Sequence, residues 1–124
     1  MKIFKQSLLF FTFLITFCLT AQNRDVKIKV NKLTDNIYML VGQGGNIAVF
    51  VGDDGVFMID DQFAPLTPKI LKAITSITEK PVRYLINTHW HGDHTGGNLN
   101  MANKGAIIVS HKNVRKRMSM DQVI

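Results

Sequence analysis

The apolar stretch Val82-Arg83-Tyr84-Leu85-Ile86 leads directly into His89-Trp90-His91-Gly92-Asp93-His94, and this junction constrains the chain more than any other feature. Three imidazoles and a carboxylate in so short a run suit a divalent metal bound through nitrogen and oxygen, Zn²⁺ above all. On a helix, residues two apart do not share a face, whereas on an extended segment they do. An extended run therefore aims His89, His91 and Asp93 one way and His94 the other, with Gly92 permitting a bend. One ion would take His89 and His91, and a second would take Asp93 and His94. Paired ions a few ångströms apart hold a hydroxide and polarise a carbonyl or phosphoryl oxygen.

The flanking pattern supplies a scaffold for that loop. Val26 to Val30 alternates charged and apolar residues and reads as a half-exposed strand. Ile37 to Val41 reads as another, followed by the glycine turn Gly42-Gln43-Gly44-Gly45. Ile47 to Val51 and Val56 to Ile59 are continuous apolar strands joined by Gly52-Asp53-Asp54-Gly55, a hairpin signal. Thr67 is the expected N-cap of a helix with Pro68 at its first position, and Ile70, Leu71, Ile74 and Ile77 recur at helical spacing. Pro81 ends that unit, Val82 to Ile86 is a strand, and Ile107 to Val109 is a further short one. The order predicts a sheet covered by helices on one face, with the ligands on a loop at a strand's end.

Three smaller features bear on the site. Asp60 and Asp61 close an apolar strand, where a carboxylate either orients a metal-binding imidazole or solvates the strand end. Trp90, between two proposed ligands, is expected to pack away from them. His111 lies too soon after the motif to serve as a ligand and reads as a helix-start or surface histidine.

The formal charge of +6 falls to +4 without Lys2 and Lys5, a mild excess. Lys112, Arg115, Lys116 and Arg117 cluster late, but no aromatic residues interleave with them, so they read as a solvated helix face rather than a nucleic-acid surface. Met1-Lys2-Ile3-Phe4-Lys5, the apolar run Ser7 to Leu19 and Ala21 before Gln22 make residues 1–21 a signal peptide, with export to the periplasm or beyond a bacterial cell. Two alternatives for this segment are an uncleaved anchor between Lys5 and Arg24 and lipidation at Cys18. Once the signal is removed, no stable membrane association is expected. Cys18 is the only cysteine, so the mature chain has no disulfide and no thiol nucleophile.

The H-x-H-x-D-H pattern followed by Thr95-Gly96-Gly97-Asn98 resembles the signature of the metallo-β-lactamase-fold hydrolases. Gly44-Gly45-Asn46 with Ile47 to Val51, and Gly55 to Ile59 ending in Asp60-Asp61, resemble the early strands of that family. The likeness runs from about Leu33 to the end of the chain. It implies an α/β (α+β) fold, with residues 22–124 forming the N-terminal half of an αββα sandwich. By resemblance, His89 and His91 bind the first metal, Asp93 and His94 bind the second, and Asp93 also orients the attacking water, so that two Zn²⁺ occupy a complete site. His94 directly after Asp93 resembles the glyoxalase II and subclass B3 lactamase variants. The implied reaction is attack of a metal-bound hydroxide on the carbonyl carbon of a small molecule, a β-lactam, a thioester or another ester or lactone. Members of the family draw a further His, a bridging Asp or Cys and a final His from the second half of the fold. None of these follows here, and the chain stops at Asp121-Gln122-Val123-Ile124 with a helical pattern under way. The expectation is a truncated portion that is inactive by itself; the alternative is a non-catalytic fragment that binds metal weakly or folds with a complementary segment.

Overall fold

The computed structural model describes residues 25–120, and the expected signal segment lies outside them. Six strands form one sheet in chain order: β1 (Lys29–Lys32), β2 (Ile37–Val41), β3 (Ile47–Gly52), β4 (Gly55–Ile59), β5 (Val82–Asn87) and β6 (Ile107–Ser110). The first four are antiparallel neighbours, and the Gly52–Gly55 pair closes the β3–β4 hairpin around Asp53 and Asp54. After β4 the pairing becomes parallel, so the chain must leave the sheet and cross over before each new strand. The first crossover is a 3₁₀ turn (Ala64–Leu66) running into α1 (Thr67–Thr75). The second holds α2 (Gly92–Thr95) and α3 (Asn98–Ala102), and α4 (Lys112–Met118) follows β6.

Both crossovers cover the same face. Leu66, Ile70 and Ile74 from the first and Met101 from the second join Leu40, Ile47, Val49, Val56, Met58 and Leu85 in one buried cluster. Each such side chain contributes about 1.5–3 kcal/mol relative to an exposed position. The opposite face is bare among the described residues. Phe50, Ile59, Tyr84, Ile107 and Val109 are exposed on it, and Phe57 stacks on Tyr84 at 5.1 Å between ring centroids. Runs such as Ile47–Val51 are apolar without interruption in sequence because neither side of these strands is built for water. No helix among the described residues is long and apolar enough to cross a membrane.

Two expectations are corrected. The first strand begins at Lys29, not Val26, because its partner β2 ends at Val41 opposite Lys29 and the chain then turns away. Val26 and Ile28 still pack against the core, without a strand partner. Thr67 is the first helical residue rather than the cap; Leu66 takes the cap position and Pro68 follows within the first turn. The 3₁₀ turn feeds directly into the helix, so the Thr67 hydroxyl is buried and accepts from Asn100 Nδ2 at 3.3 Å.

Candidate metal centre

The site is built where β4 and β5 end side by side. The Asp60 N–H donates to the Ile86 carbonyl at 3.0 Å, carrying the ladder one step past β4. Asp60 and Gln62 then adopt left-handed backbone, with φ of 61° and 56°. Such non-glycine positions cost on the order of 1–3 kcal/mol each and persist where surrounding contacts over-determine them. The Asp60 contacts do so. Its Oδ1 accepts from Thr88 N at 2.8 Å, and its Oδ2 accepts from Thr88 Oγ1 at 2.7 Å and from His94 Nδ1 at 2.8 Å.

This carboxylate sets the orientation of two imidazoles. The single Thr88 hydroxyl proton goes to Asp60, so the Thr88 oxygen accepts from His89 Nδ1 at 3.0 Å. His89 and His94 thus both commit Nδ1–H to a network that ends on Asp60, and each keeps the Nε2 lone pair for another partner. Their rings lie 4.0 Å apart between centroids, and His91 meets His89 edge-on at 4.8 Å. Asp93 Oδ2 stands 3.4 Å from His94 Nε2. Two tetrahedral zinc ligands at ordinary bond lengths are about 3.3 Å apart, so this pair fits one ion. Ligand atoms of Asp60, His89 and His94 also lie within 4.8 Å of one another. The Asp60 oxygens already accept three hydrogen bonds, so its part is to orient the imidazoles, whose Nε2 atoms would be the ones to hold a metal.

The expected alternation of side chains along the run is corrected. The strand ends at Asn87, residues 88–90 bend, and His91, extended at φ −66° and ψ 148°, caps α2. His94 N–H then donates to the His91 carbonyl at 3.0 Å, and the resulting turn brings His94 round onto His89 rather than to the far side. His89, His91, Asp93 and His94 therefore form one continuous cluster. Trp90, expected to pack away from it, lies half-buried with its ring edge-on to His91 at 4.6 Å. His111 is the N-cap of α4, its Nδ1 accepting from Asn113 N at 3.2 Å, and the basic residues of that helix are exposed.

Behind this cluster lies a buried polar layer. Asn87 Nδ2 donates to the His94 carbonyl at 3.2 Å, and Asn98 Nδ2 donates to Asn87 Oδ1 at 2.8 Å. The Asp61 N–H donates to the same His94 carbonyl at 3.1 Å, while Asp61 Oδ1 accepts from Gly97 N at 3.1 Å. Asp61 is fully buried, and among the described residues its Oδ2 has no hydrogen-bond partner. Burial pushes its carboxyl up to about 7; the neighbouring Asp60 charge adds to this, and the Gly97 N–H and His94 only partly offset it. In front, the glycine turn is pressed onto Asp93 and His94. A Cβ at Gly44, where φ is +85°, would lie 2.6 Å from Asp93 Cβ, and one at Gly45 would lie 2.3 Å from His94 Cε1. Sequence reasoning flagged Asp60 and Asp61 but passed over Gln62, Thr88, Asn87 and the role of this turn. Only the carboxylate pair at a strand end carries a local signal.

A sheet that delivers an imidazole and carboxylate cluster from the end of a strand defines a metallohydrolase-type half-sandwich. The profile of the metallo-beta-lactamase superfamily matches residues 40–122, and the chain belongs to that family. The chain is 35% identical over 69 residues to the alkyl/aryl-sulfatase BDS1 of Saccharomyces cerevisiae, which covers 53% of this chain and 11% of that protein. It is 30% identical over 78 residues to the beta-lactamase-like protein 2 homolog of Caenorhabditis elegans, covering 55% of this chain and 26% of the relative. Among solved structures, the mono-zinc form of the metallo-beta-lactamase FIM-1 from Pseudomonas aeruginosa superposes with a TM-score of 0.68 at 20% identity, over 78% of this chain and 47% of that one. BJP-1, a subclass B3 metallo-beta-lactamase of Bradyrhizobium japonicum, superposes with a TM-score of 0.66 at 25% identity, over 77% and 38%. The chain thus spans less than half of each of these proteins and matches the N-terminal half of the fold.

Proposed function

We propose that this chain is the metal-binding portion of a zinc-dependent hydrolase that acts on a carbonyl substrate, a β-lactam, a thioester or another ester or lactone. The observation that carries the reading is the pairing of Asp93 Oδ2 and His94 Nε2 at 3.4 Å beside His89, with the Nδ1 atoms of both imidazoles tied back to Asp60. A divalent cation bound there supplies Lewis-acid polarisation and lowers the pKa of water. His89, His91, Asp93 and His94 are the residues that would hold it, two ions in a complete site, with Asp93 also orienting the attacking water. Asp60 keeps the ligating nitrogens aimed through its hydrogen bonds, and Thr88 relays that hold to His89. The zinc in the FIM-1 structure and the subclass B3 name of BJP-1 support the choice of ion and of substrate class. The partner is a small molecule and not a nucleic acid. Lys2, Lys5 and the apolar run before Gln22 support export as a periplasmic or secreted protein.

Zinc titration of wild type, His89→Ala and His91→Ala tests the site, with hydrolysis of a β-lactam and a thioester followed in the complete gene product. Each substitution is expected to abolish metal-dependent turnover and to reduce bound zinc. Unchanged zinc content together with retained activity in both variants would overturn the assignment.

A further inference from the structure

We propose that Gln62 is a positioning residue of this centre: its carboxamide clamps the turn at residues 42–45 onto Asp93 and His94, and so holds the His94 ring with Nε2 free. The inference rests on the metal-site reading above and concerns a residue whose side-chain hydrogen bonds go to the turn, at Gln43 and Gly45. Gln62 is polar yet 1% exposed, and it sits in left-handed backbone at φ 56°. An unpaired buried amide would be costly, so its partners define its part. Gln62 Oε1 accepts from Gln43 N at 3.2 Å, and Gln62 Nε2 donates to the Gly45 carbonyl. The two bonds grip the turn on either side of Gly44.

Among the described residues no other side-chain hydrogen bond holds the turn. The strand pairing stops at Leu40 opposite Ile47, and among the described residues no backbone–backbone hydrogen bond outside the regular elements reaches residues 42–46. The gripped turn is also the wall of the site. There is no room for a Cβ at Gly44 beside Asp93 or at Gly45 beside the His94 ring. His94 is therefore held twice, by Asp60 at Nδ1 and by the Gly45 backbone along its Cε1–Nε2 edge. If the turn lifts, the second restraint goes and Nε2 loses its alignment with Asp93 Oδ2.

The test uses the full chain and three readouts: exchange of the Gln43 amide, the His94 Nδ1–H resonance, and zinc affinity by titration with zinc salt. Gln62→Leu keeps the bulk and removes both bonds. It is expected to speed Gln43 exchange by roughly tenfold or more, to shift or broaden the His94 resonance, and to weaken zinc binding about tenfold to a hundredfold. Gln62→Glu retains an acceptor for Gln43 but loses the donor to Gly45, and should fall between. Lower thermal stability with His94 and zinc affinity unchanged would make Gln62 merely structural and overturn the proposal. If the wild-type chain takes up no zinc, the metal reading fails, and the exchange and ring readouts still decide the clamp. If Gln62→Leu does not fold, Gly45→Ala decides. Its new Cβ must displace the His94 ring while Gln43 stays protected, and a wild-type His94 resonance in that variant overturns the proposal.

Discussion

Asp61 shows how much a single buried group imposes on this site. It lies beneath the loop from His89 to His94, with one oxygen bonded to Gly97 N and the other without a partner among the described residues. Its carboxyl is raised from 3.8 to about 7 by burial first of all, so the folded chain binds a proton there that the unfolded chain releases. The stability linked to this proton is fully present below the unfolded value of 3.8 and is lost as pH rises through about 7. The magnitude is on the order of a few kcal/mol. Asp61→Asn keeps an acceptor for Gly97 and removes the titration. It should raise the melting temperature at about pH 8 and flatten the stability profile between about pH 4 and pH 8. Thermal melts across that range check this; a variant with the wild-type pH slope would assign the dependence to another group.

At the scale of elements, β5 carries the site to its place, and only one of its faces is packed. Leu85 is fully buried against the helices, whereas Val109 on the neighbouring β6 is 42% exposed on the opposite face. Leu85→Ala should cost about 2–5 kcal/mol in urea denaturation, through lost transfer energy and the cavity left behind. Val109→Thr should stay within about 0.5 kcal/mol of wild type. Equal losses at the two positions would mean that the second face is also covered. Most strands were legible in the sequence to within a residue or so, because apolar runs bounded by Gly, Pro and Asp punctuate them. Val26 to Ile28 was not, because its alternation is strand-like but β2 supplies no backbone opposite it. The start of α1 was also missed, since a local N-cap signal at Thr67 lost to a tertiary bond from Asn100.

For the whole molecule, the bare face is the dominant feature. Phe50, Ile59, Tyr84, Ile107 and Val109 present a contiguous apolar surface of the kind that marks an interaction site or drives association. The chain spans less than half of the FIM-1 and BJP-1 structures it resembles. The described residues alone should therefore self-associate through this face. Replacing Ile107 with Lys and Val109 with Glu is expected to shift sedimentation-velocity profiles toward monomer while leaving the far-UV circular dichroism unchanged. Identical profiles for variant and wild type would place the association elsewhere.

Candidate donor types and the strand segments were set locally. The run from His89 to His94 names its donors by residue type, and the apolar stretch before it names the strand that carries them. The alternation of side chains along that run was misjudged, because His91 capping α2 is a matter of backbone hydrogen bonds that periodicity does not report. Which nitrogen of His89 and of His94 stays free depended on Asp60 and Thr88, and the wall on the Gly45 backbone and Gln62. These partners come from three strand ends. Only the parallel crossover that lays β5 beside β4, and the hairpin that lays β3 beside it, bring them within hydrogen-bonding range. Donor chemistry is a property of residues in a row; ligand orientation is a property of chain segments that meet only after folding.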